Sequence, residues 1–374
     1  LELGRRQPGA RDAVAAGLDA RGRWLAAQNP DWAWAVEADD PRAAWETGSA
    51  AERLGALRRL RRADPAAARE LVASTWEQEG PRERVAVLAA LETGLDAADE
   101  PFLESVLDDR RKDVRAEAAR LLVRVPGSRL VARMTERAAA CLSLAQPSGG
   151  LVGRVLGSRA TVQVQLPSEC DAAMRRDGVE PRPAQGYGER AWWLFQVLSA
   201  VPPASWAARW GLDPVSCIRA ALRSDDRRLL FNAWGHAAAT AGDPDWIEAL
   251  LRAEAVDEHG LVGRLAAALP GERLEALVLE KLGGGRLRGG DPAFALLEGS
   301  STPLGAGLTR TLLLHLPPEV VSNDWRLRDG LRALALRMDP AAAVDTLHAG
   351  GDPHSGAWVD LLHLRHTLHR AFLP

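Results

Sequence analysis

Seven Asp-Pro dipeptides punctuate this 374-residue chain: Asp40-Pro41, Asp64-Pro65, Asp213-Pro214, Asp243-Pro244, Asp291-Pro292, Asp339-Pro340 and Asp352-Pro353. Each pair combines two start signals for a helix. An Asp at the N-cap accepts hydrogen bonds from the unpaired amides of the first turn, and its charge suits the positive end of the helix dipole. Proline at the next position has its φ already set and no amide to leave unsatisfied. A chain that repeats this signal is expected to be many short helices joined by tight turns. The spacings are 24, 149, 30, 48, 48 and 13 residues, so the pairs mark helix starts in two blocks.

Composition points the same way. Hydrophobic residues make up 47% of the chain, with only one Tyr and five Phe. The apolar set is mostly Ala, Leu and Val, and Ala and Leu lose little side-chain freedom in a helix. Strand-type runs are nearly absent, so an all-α fold is expected. The basic residues are almost all Arg, the exceptions being Lys112 and Lys281. The excess of Ala and Arg reads first as genomic coding bias. Residues 1–150 carry 23 basic and 24 acidic side chains, residues 151–374 carry 24 and 26, and the net charge is −3. Neither half has the basic excess of a nucleic-acid surface, although a local Arg-lined groove stays open.

Cys141, Cys170 and Cys217 are odd in number and widely spaced. They give neither a disulfide framework nor a metal pair, so a reducing, cytoplasmic setting is expected. The best apolar run, Ala191–Val201, has about half the ~20 residues that span a membrane, and no membrane association is expected. No signal peptide is expected, and the lack of an initiator Met reads as either a processed start or a cut boundary.

The clearest repeat lies between Ala50 and Met134. Asp64-Pro65 is expected to open a helix through Trp76, and Gly80-Pro81 to break it before a second helix with Val85, Leu88 and Leu91. Asp99-Glu100-Pro101 then opens Phe102–Leu107, and Asp113-Val114-Arg115 opens a helix carrying Val114, Ala118, Leu121 and Leu122. Two successive helix pairs of about 35–40 residues indicate an α-solenoid. The run Val106–Leu122 resembles the second-helix signature of HEAT repeats, in which a turn Asp precedes Val-Arg and then Ala and Leu at helical spacing. Leu222–Leu230 is a fainter echo. That resemblance implies a HEAT-like solenoid of roughly fourteen to eighteen helices. Arg21–Ala26 and Gly188–Trp193 resemble an uncharacterised bacterial family often encoded near MoxR-type AAA+ ATPases and von Willebrand factor A proteins. What this implies is a partner-binding subunit in an ATPase-linked system.

A second echo concerns tryptophan. Asn29-Pro30-Asp31-Trp32, Asp243-Pro244-Asp245-Trp246 and Ser322-Asn323-Asp324-Trp325 each put a Trp just inside a helix start. Such a Trp is expected to cover the seam between neighbouring repeats.

The middle of the chain breaks the pattern. Ala160–Pro167 alternates small or apolar with polar residues and is the one short strand candidate. Residues 167–190 hold Pro and Gly without helical period, followed by the aromatic helix from Gly188 to Leu198. The domain reading is therefore helical repeats at 1–150, an irregular insert at 151–188 and helical repeats at 189–374. Long irregular segments are more often functional than neutral connectors. Asp171, Arg175, Arg176, Asp177, Tyr187, Glu189 and Arg190 are the candidate partner-binding residues, because Arg and aromatics dominate protein–protein hot spots. The competing reading is a structural plug across the solenoid. Trp192 and Trp193 are expected in the core.

Other chemistry is sparse. His363, His366 and His369 fan over roughly 120° of a helix, so a metal site needs two of them with His354 or an Asp. A polar helix face is the simpler reading. No Gly-x-Ser-x-Gly, phosphate loop or His-Glu-x-x-His occurs. Gly283–Gly290 reads as a flexible linker. The basic clusters Arg58-Arg59-x-Arg61-Arg62, Arg110-Arg111-Lys112 and Arg227-Arg228 sit beside acids and read as solvated helix faces. No cofactor is expected. The function expected is a non-enzymatic scaffold for a protein partner. The alternatives are a HEAT-type DNA binder or glycosylase, and a hydrolase using the C-terminal histidines.

Overall fold

The computed structural model describes the chain except for residues 8–10, 36–40, 146–159, 259, 284, 286, 317–323, 350–355 and 373–374. The fold is all-α with one two-stranded sheet. The described residues hold more helices than the fourteen to eighteen expected, because several have only five to eight residues. Two compact units divide the chain. The first comprises Leu1–Ala132 and Cys170–Glu180; the second comprises Arg133–Glu169 and Pro181–Pro374.

The Asp caps work as the sequence indicated. Asp64, Asp213 and Asp339 accept from the amides of Ala67, Ser216 and Ala342 at 2.8–2.9 Å, and Asp243 accepts from Asp245 and Trp246. Asp291 departs from this pattern. Its carboxylate turns backwards to the Arg288 amide at 2.8 Å, and the helix behind it has no side-chain cap. Asp40 and the Asp352-Pro353 pair lie outside the described residues.

In the first unit the helix Ala50–Ala63 packs on Pro41–Thr47, Pro65–Thr75 and Pro81–Leu91. Pro81–Leu91 in turn packs on Lys112–Arg124. The long helices therefore begin at residues 50, 81 and 112, each 31 after the last. The run Val106–Leu122 supplies the last of them, and its Arg115 donates to the Asp109 and Arg110 carbonyls at 2.8 and 3.2 Å.

The second unit shows the regularity best. One row of helices is Glu189–Ser199, Arg227–Ala241, Leu261–Ala268, Pro292–Gly299, Trp325–Ala335 and Ala357–Phe372, each packed on the next. Their starts are 38, 34, 31, 33 and 32 residues apart. The helices Pro214–Ala221, Pro244–Arg252, Gly271–Leu282, Ala306–Leu314 and Pro340–Ala349 alternate with these and form a second row, again packed in order. Each element touches mainly its near neighbours in sequence, which is how a repeat stack buries helices too short to be stable alone.

Trp positions follow this lattice unevenly. Trp246 is buried between the rows, whereas Trp325, which follows the same Asp-Trp start, is 64% exposed. The expectation that each first-turn Trp covers a seam holds for Trp246 and fails for Trp325. The strand candidate also gains a partner: β1 (Leu142–Ala145) follows directly on the helix Arg129–Cys141 and pairs antiparallel with β2 (Thr161–Val164), Leu142 opposite Val164. No described helix is long and apolar enough to cross a membrane.

Arg side chains have a recurrent structural use. Arg61 donates to four backbone carbonyls, Arg337 to those of Leu297 and Thr302, and Arg365 to those of Ala335 and Met338. The five N–H donors of a guanidinium can satisfy the orphan carbonyls at helix ends that a lysine could not reach together. The Arg excess is thus not only compositional.

Candidate functional site

The seven sequence-nominated residues fall into two groups. Asp171, Arg175, Arg176 and Asp177 belong to the first unit, on the short helix Ala172–Arg176 and its ends. Asp171 caps that helix by accepting from the Met174 amide at 2.7 Å. Arg175 donates to the Cys170 carbonyl at 2.6 Å. Arg176 meets Asp108 at 2.7 and 3.0 Å and the Glu104 carbonyl at 3.2 Å, while Asp177 is buried beside it. These contacts dock the short helix on the repeats of its own unit. The Arg176 guanidinium holds the Asp108 carboxyl below the usual carboxylate range.

Tyr187, Glu189 and Arg190 belong to the second unit. Glu189 is exposed in the first turn of the helix Glu189–Ser199. Arg190 clamps the carbonyls of Pro167 and Leu166 at 2.6 Å each. Trp193 is buried, with its Nε1 donating to the Pro181 carbonyl at 2.9 Å; Trp192 is half-buried.

Tyr187 stands in a grouping of aromatic and polar side chains. Its ring lies 5.5 Å from Trp192 and 5.0 Å from Phe195, and those two stack on each other at 5.5 Å with 14° between planes. Phe195 then meets the His236 ring edge-on at 5.3 Å. Around this stack run two polar chains. In the first, the Asn232 amide donates to Asp257 Oδ1 at 2.9 Å, and Arg228 pairs with Asp257 at 2.8 Å. In the second, His236 Nε2 lies 2.9 Å from both Glu258 oxygens, and Arg264 Nη2 lies 2.9 Å from His236 Nδ1.

The partners assign the tautomer. The Glu258 carboxylate can only accept, so Nε2–H donates to it and Nδ1 is left as the acceptor, with Arg264 Nη2 nearest Nδ1 and 3.3 Å from Nε2. Both nitrogens of a neutral imidazole are then occupied. Burial pushes the His236 pKa below its ordinary value; Glu258 opposes the shift and Arg264 adds to it. Burial likewise raises the Tyr187 phenol, and the Asn232 side chain opposes the shift.

This gives a signed expectation. A histidine depressed in the folded state binds its proton later than in the unfolded chain, so stability is lost as pH falls from about 6.5 toward the folded value. By NMR titration of the imidazole, His236 should show a midpoint below 6.5. Glu258→Gln should lower that midpoint further and Arg264→Gln should raise it. A midpoint insensitive to both replacements would contradict the bracketed geometry.

Sequence reading reached Tyr187 and missed Asn232, His236, Asp257, Glu258 and Arg264. The signal was available. Asn232 and His236 are four apart on one face of Leu229–Ala238, a run otherwise almost wholly apolar. Two polar side chains on one face of a buried helix require partners, and those partners mark a site.

Two further features lie in the second unit. The two strands and residues 223–226 line a polar cavity of about 560 Å3 that includes Ser143, Gln163, Arg223 and Asp226. Burial, and then Asp225, raise the Asp226 carboxyl. At the C-terminal end the His348 and His363 rings lie 5.6 Å apart. Among the described residues no three His, Cys, Asp or Glu side chains gather as a metal-holding group, and His354 lies outside those residues.

No curated protein and no solved structure matches the chain. A family model does so over residues 1–372, almost the whole length in which both helical units and the aromatic cluster lie; the chain belongs to a family of unknown function, DUF5691.

Proposed function

We propose that the protein is a non-enzymatic, HEAT-like scaffold that binds a protein partner through the face around Tyr187, Trp192 and His236. The observation that carries this reading is the occupation of both His236 nitrogens by Glu258 and Arg264. A general base needs a free nitrogen within reach of a proton. An imidazole held on both sides is instead a positioned, rigid element, and rigid aromatic and Arg side chains supply binding energy at small entropic cost. The row packing of the second unit supports it further, because repeats that contact only their neighbours leave long surfaces for recognition. The charge balance disfavours a DNA partner.

The ATPase-linked setting implied by the resemblance supplies the first partner to test, a MoxR-type ATPase of the native host. The full chain and a Tyr187→Ala/Arg264→Glu variant would be compared as baits at equal helicity by circular dichroism. Wild type should retain the ATPase, or another single protein, and the variant should lose at least tenfold of that retention. Equal retention by both baits removes this face as the binding surface. Salt-sensitive retention of duplex DNA by the wild type, in place of a protein, would turn the reading to nucleic acid.

A further inference from the structure

The helices Pro244–Arg252, Leu261–Ala268, Gly271–Leu282 and Pro292–Gly299 line a cavity of about 180 Å3 within the second unit. Its wall is apolar, formed by Leu250, Leu251, Val256, Val262 and Leu296, with two exceptions, Glu254 and Lys281. Lys281 Nζ lies 2.7 Å from Glu254 Oε1. The lysine side chain is 11% exposed and the glutamate 59%. A lysine whose side chain is mostly buried therefore crosses an apolar wall, its ammonium paired with a carboxylate that remains mostly in water.

Lys281 is one of only two lysines among 47 basic residues, and the other, Lys112, is 73% exposed. Where this chain buries a cation to satisfy carbonyls it uses Arg. Lysine presents a compact point charge that can exchange one oxygen partner for another.

Glu254 carries the second irregularity. Its φ is +49°, and among the described residues no other non-glycine has positive φ. It follows the helix Pro244–Arg252 at the left-handed position of a Schellman turn: Ala255 N donates to the Leu250 carbonyl and Glu254 N to the Leu251 carbonyl, both at 3.3 Å. The left-handed positions that end Ala204–Trp210, Arg227–Ala241 and Gly271–Leu282 are all glycine. Glycine is the residue such a position favours, since a Cβ there crowds the backbone. At Glu254 the chain accepts that strain and gains a carboxylate on Lys281. Strain at a cavity mouth is an observation from which a binding role can be argued.

We propose that this cavity binds a small apolar monocarboxylate, its tail against Leu250, Val256 and Leu296 and its carboxylate on Lys281 in place of Glu254. Three observations select this class. The cationic partner is a single ammonium, which suits a single negative charge. The group now resting on it is itself a carboxylate. The volume holds about six groups of water size, which suits the five-carbon tail of hexanoate with its carboxylate at Lys281. Glu254 is the resident counter-ion: it keeps the ammonium paired when the cavity is empty and swings into water when a ligand arrives. No residue lining this cavity belongs to the Tyr187 grouping.

The test uses the full chain with hexanoate and its neutral counterpart hexanamide, read by calorimetry and by ligand-dependent Tm. Hexanoate should bind saturably in the millimolar range, and hexanamide at least tenfold more weakly. Lys281→Met keeps the aliphatic stem and should abolish the preference for acid over amide. Glu254→Gly relieves the strained turn and removes the competitor, so it should raise Tm and bind hexanoate about threefold tighter, the scale of an exposed ion pair. Should Lys281→Met fail to fold, the Glu254→Gly comparison decides alone. Equal binding of acid and amide by the wild type, no saturable binding, or weaker binding by Glu254→Gly would each overturn the proposal. So would binding confined to peptides ending in leucine, which would make the cavity a peptide-docking pocket. None of these readouts uses the partner retention that tests the Tyr187 face.

Discussion

Replacing Arg61 by leucine should lower the unfolding free energy by about 3–5 kcal/mol, the range for breaking a fully buried ion pair. Arg61 and Asp99 are both completely inaccessible to solvent. The guanidinium donates to Asp99 Oδ1 and Oδ2 at 3.0 and 2.8 Å, and to the carbonyls of Pro65, Leu91, Thr93 and Gly94 at 2.7–3.1 Å. Removing it leaves four carbonyls without that donor and a carboxylate still held by Arg69 at 2.8 Å and the Asp96 amide at 3.0 Å. Burial by itself raises the Asp99 pKa, but Arg61, the Asp96 amide and Arg69 outweigh it and the net shift is downward.

The sign of the pH dependence follows. A carboxyl depressed in the folded state contributes stability that is present above its unfolded value near 3.9 and lost as pH falls through the folded value. In Arg61→Leu the Asp99 carboxyl should rise, so the deficit should be largest at pH 7 and shrink toward pH 4. Denaturant titrations at the two pH values measure this. The double replacement Arg61→Leu/Asp99→Leu should recover part of the loss, because it removes the stranded charge. A deficit under about 1 kcal/mol at pH 7 would mean that the pair is not desolvated as the geometry has it.

The second large effect is expected at Trp234. The side chain is fully buried, with ring centroids 5.3 Å from Trp246, 6.2 Å from Trp210 and 6.3 Å from Phe231. Trp246 belongs to the second row, so this cluster joins the two rows of the unit. Trp234→Ala should cost about 3–5 kcal/mol through lost transfer energy and the cavity left behind. Trp234→Phe should cost clearly less, because it keeps an aromatic ring in the same contacts.

Trp234 lies two residues from both Asn232 and His236 on the helix Arg227–Ala241, a step that turns about 200°, so its ring faces away from the side they share. The alanine variant should therefore lose stability while the NMR midpoint of His236 stays at its wild-type value. A midpoint that moves with the stability loss would mean that the row packing and the site are coupled.

Particular elements show how far sequence reasoning reaches. The all-α class was legible because Asp-Pro caps and an Ala/Leu interior are local signals that act within one turn of helix. The Ala160–Pro167 alternation marks β2, yet its partner Leu142–Ala145 lies in the stretch whose sequence indicates helical repeats. A four-residue strand has too few side chains to declare itself before its pairing is known. The regular rows after Glu189 were hidden for a related reason: helix starts 31–38 residues apart are marked by different residues from one repeat to the next.

The candidate site was legible only at its aromatic edge. Tyr187, Trp192 and Trp193 stand out as rare residue types close together in sequence. The polar half comes from two further segments, Asn232 with His236 and Asp257 with Glu258, joined by Arg264. Charged residues gave the least guidance. Arg61 sits in a run of arginines that reads as a solvated face, yet it is the buried member of that run.

What the sequence by itself determined is therefore the local layer: helices, their caps, the short strand and the irregular centre. These depend on propensities and hydrogen bonds within a few residues. Only the tertiary structure decided which Arg is buried, which first-turn Trp is covered and which polar side chains converge on His236. The reason is physical. Burial and pairing energies depend on neighbours tens of residues away, and the same Asp-Trp start yields a core residue at Trp246 and a surface residue at Trp325 according to what packs beside it.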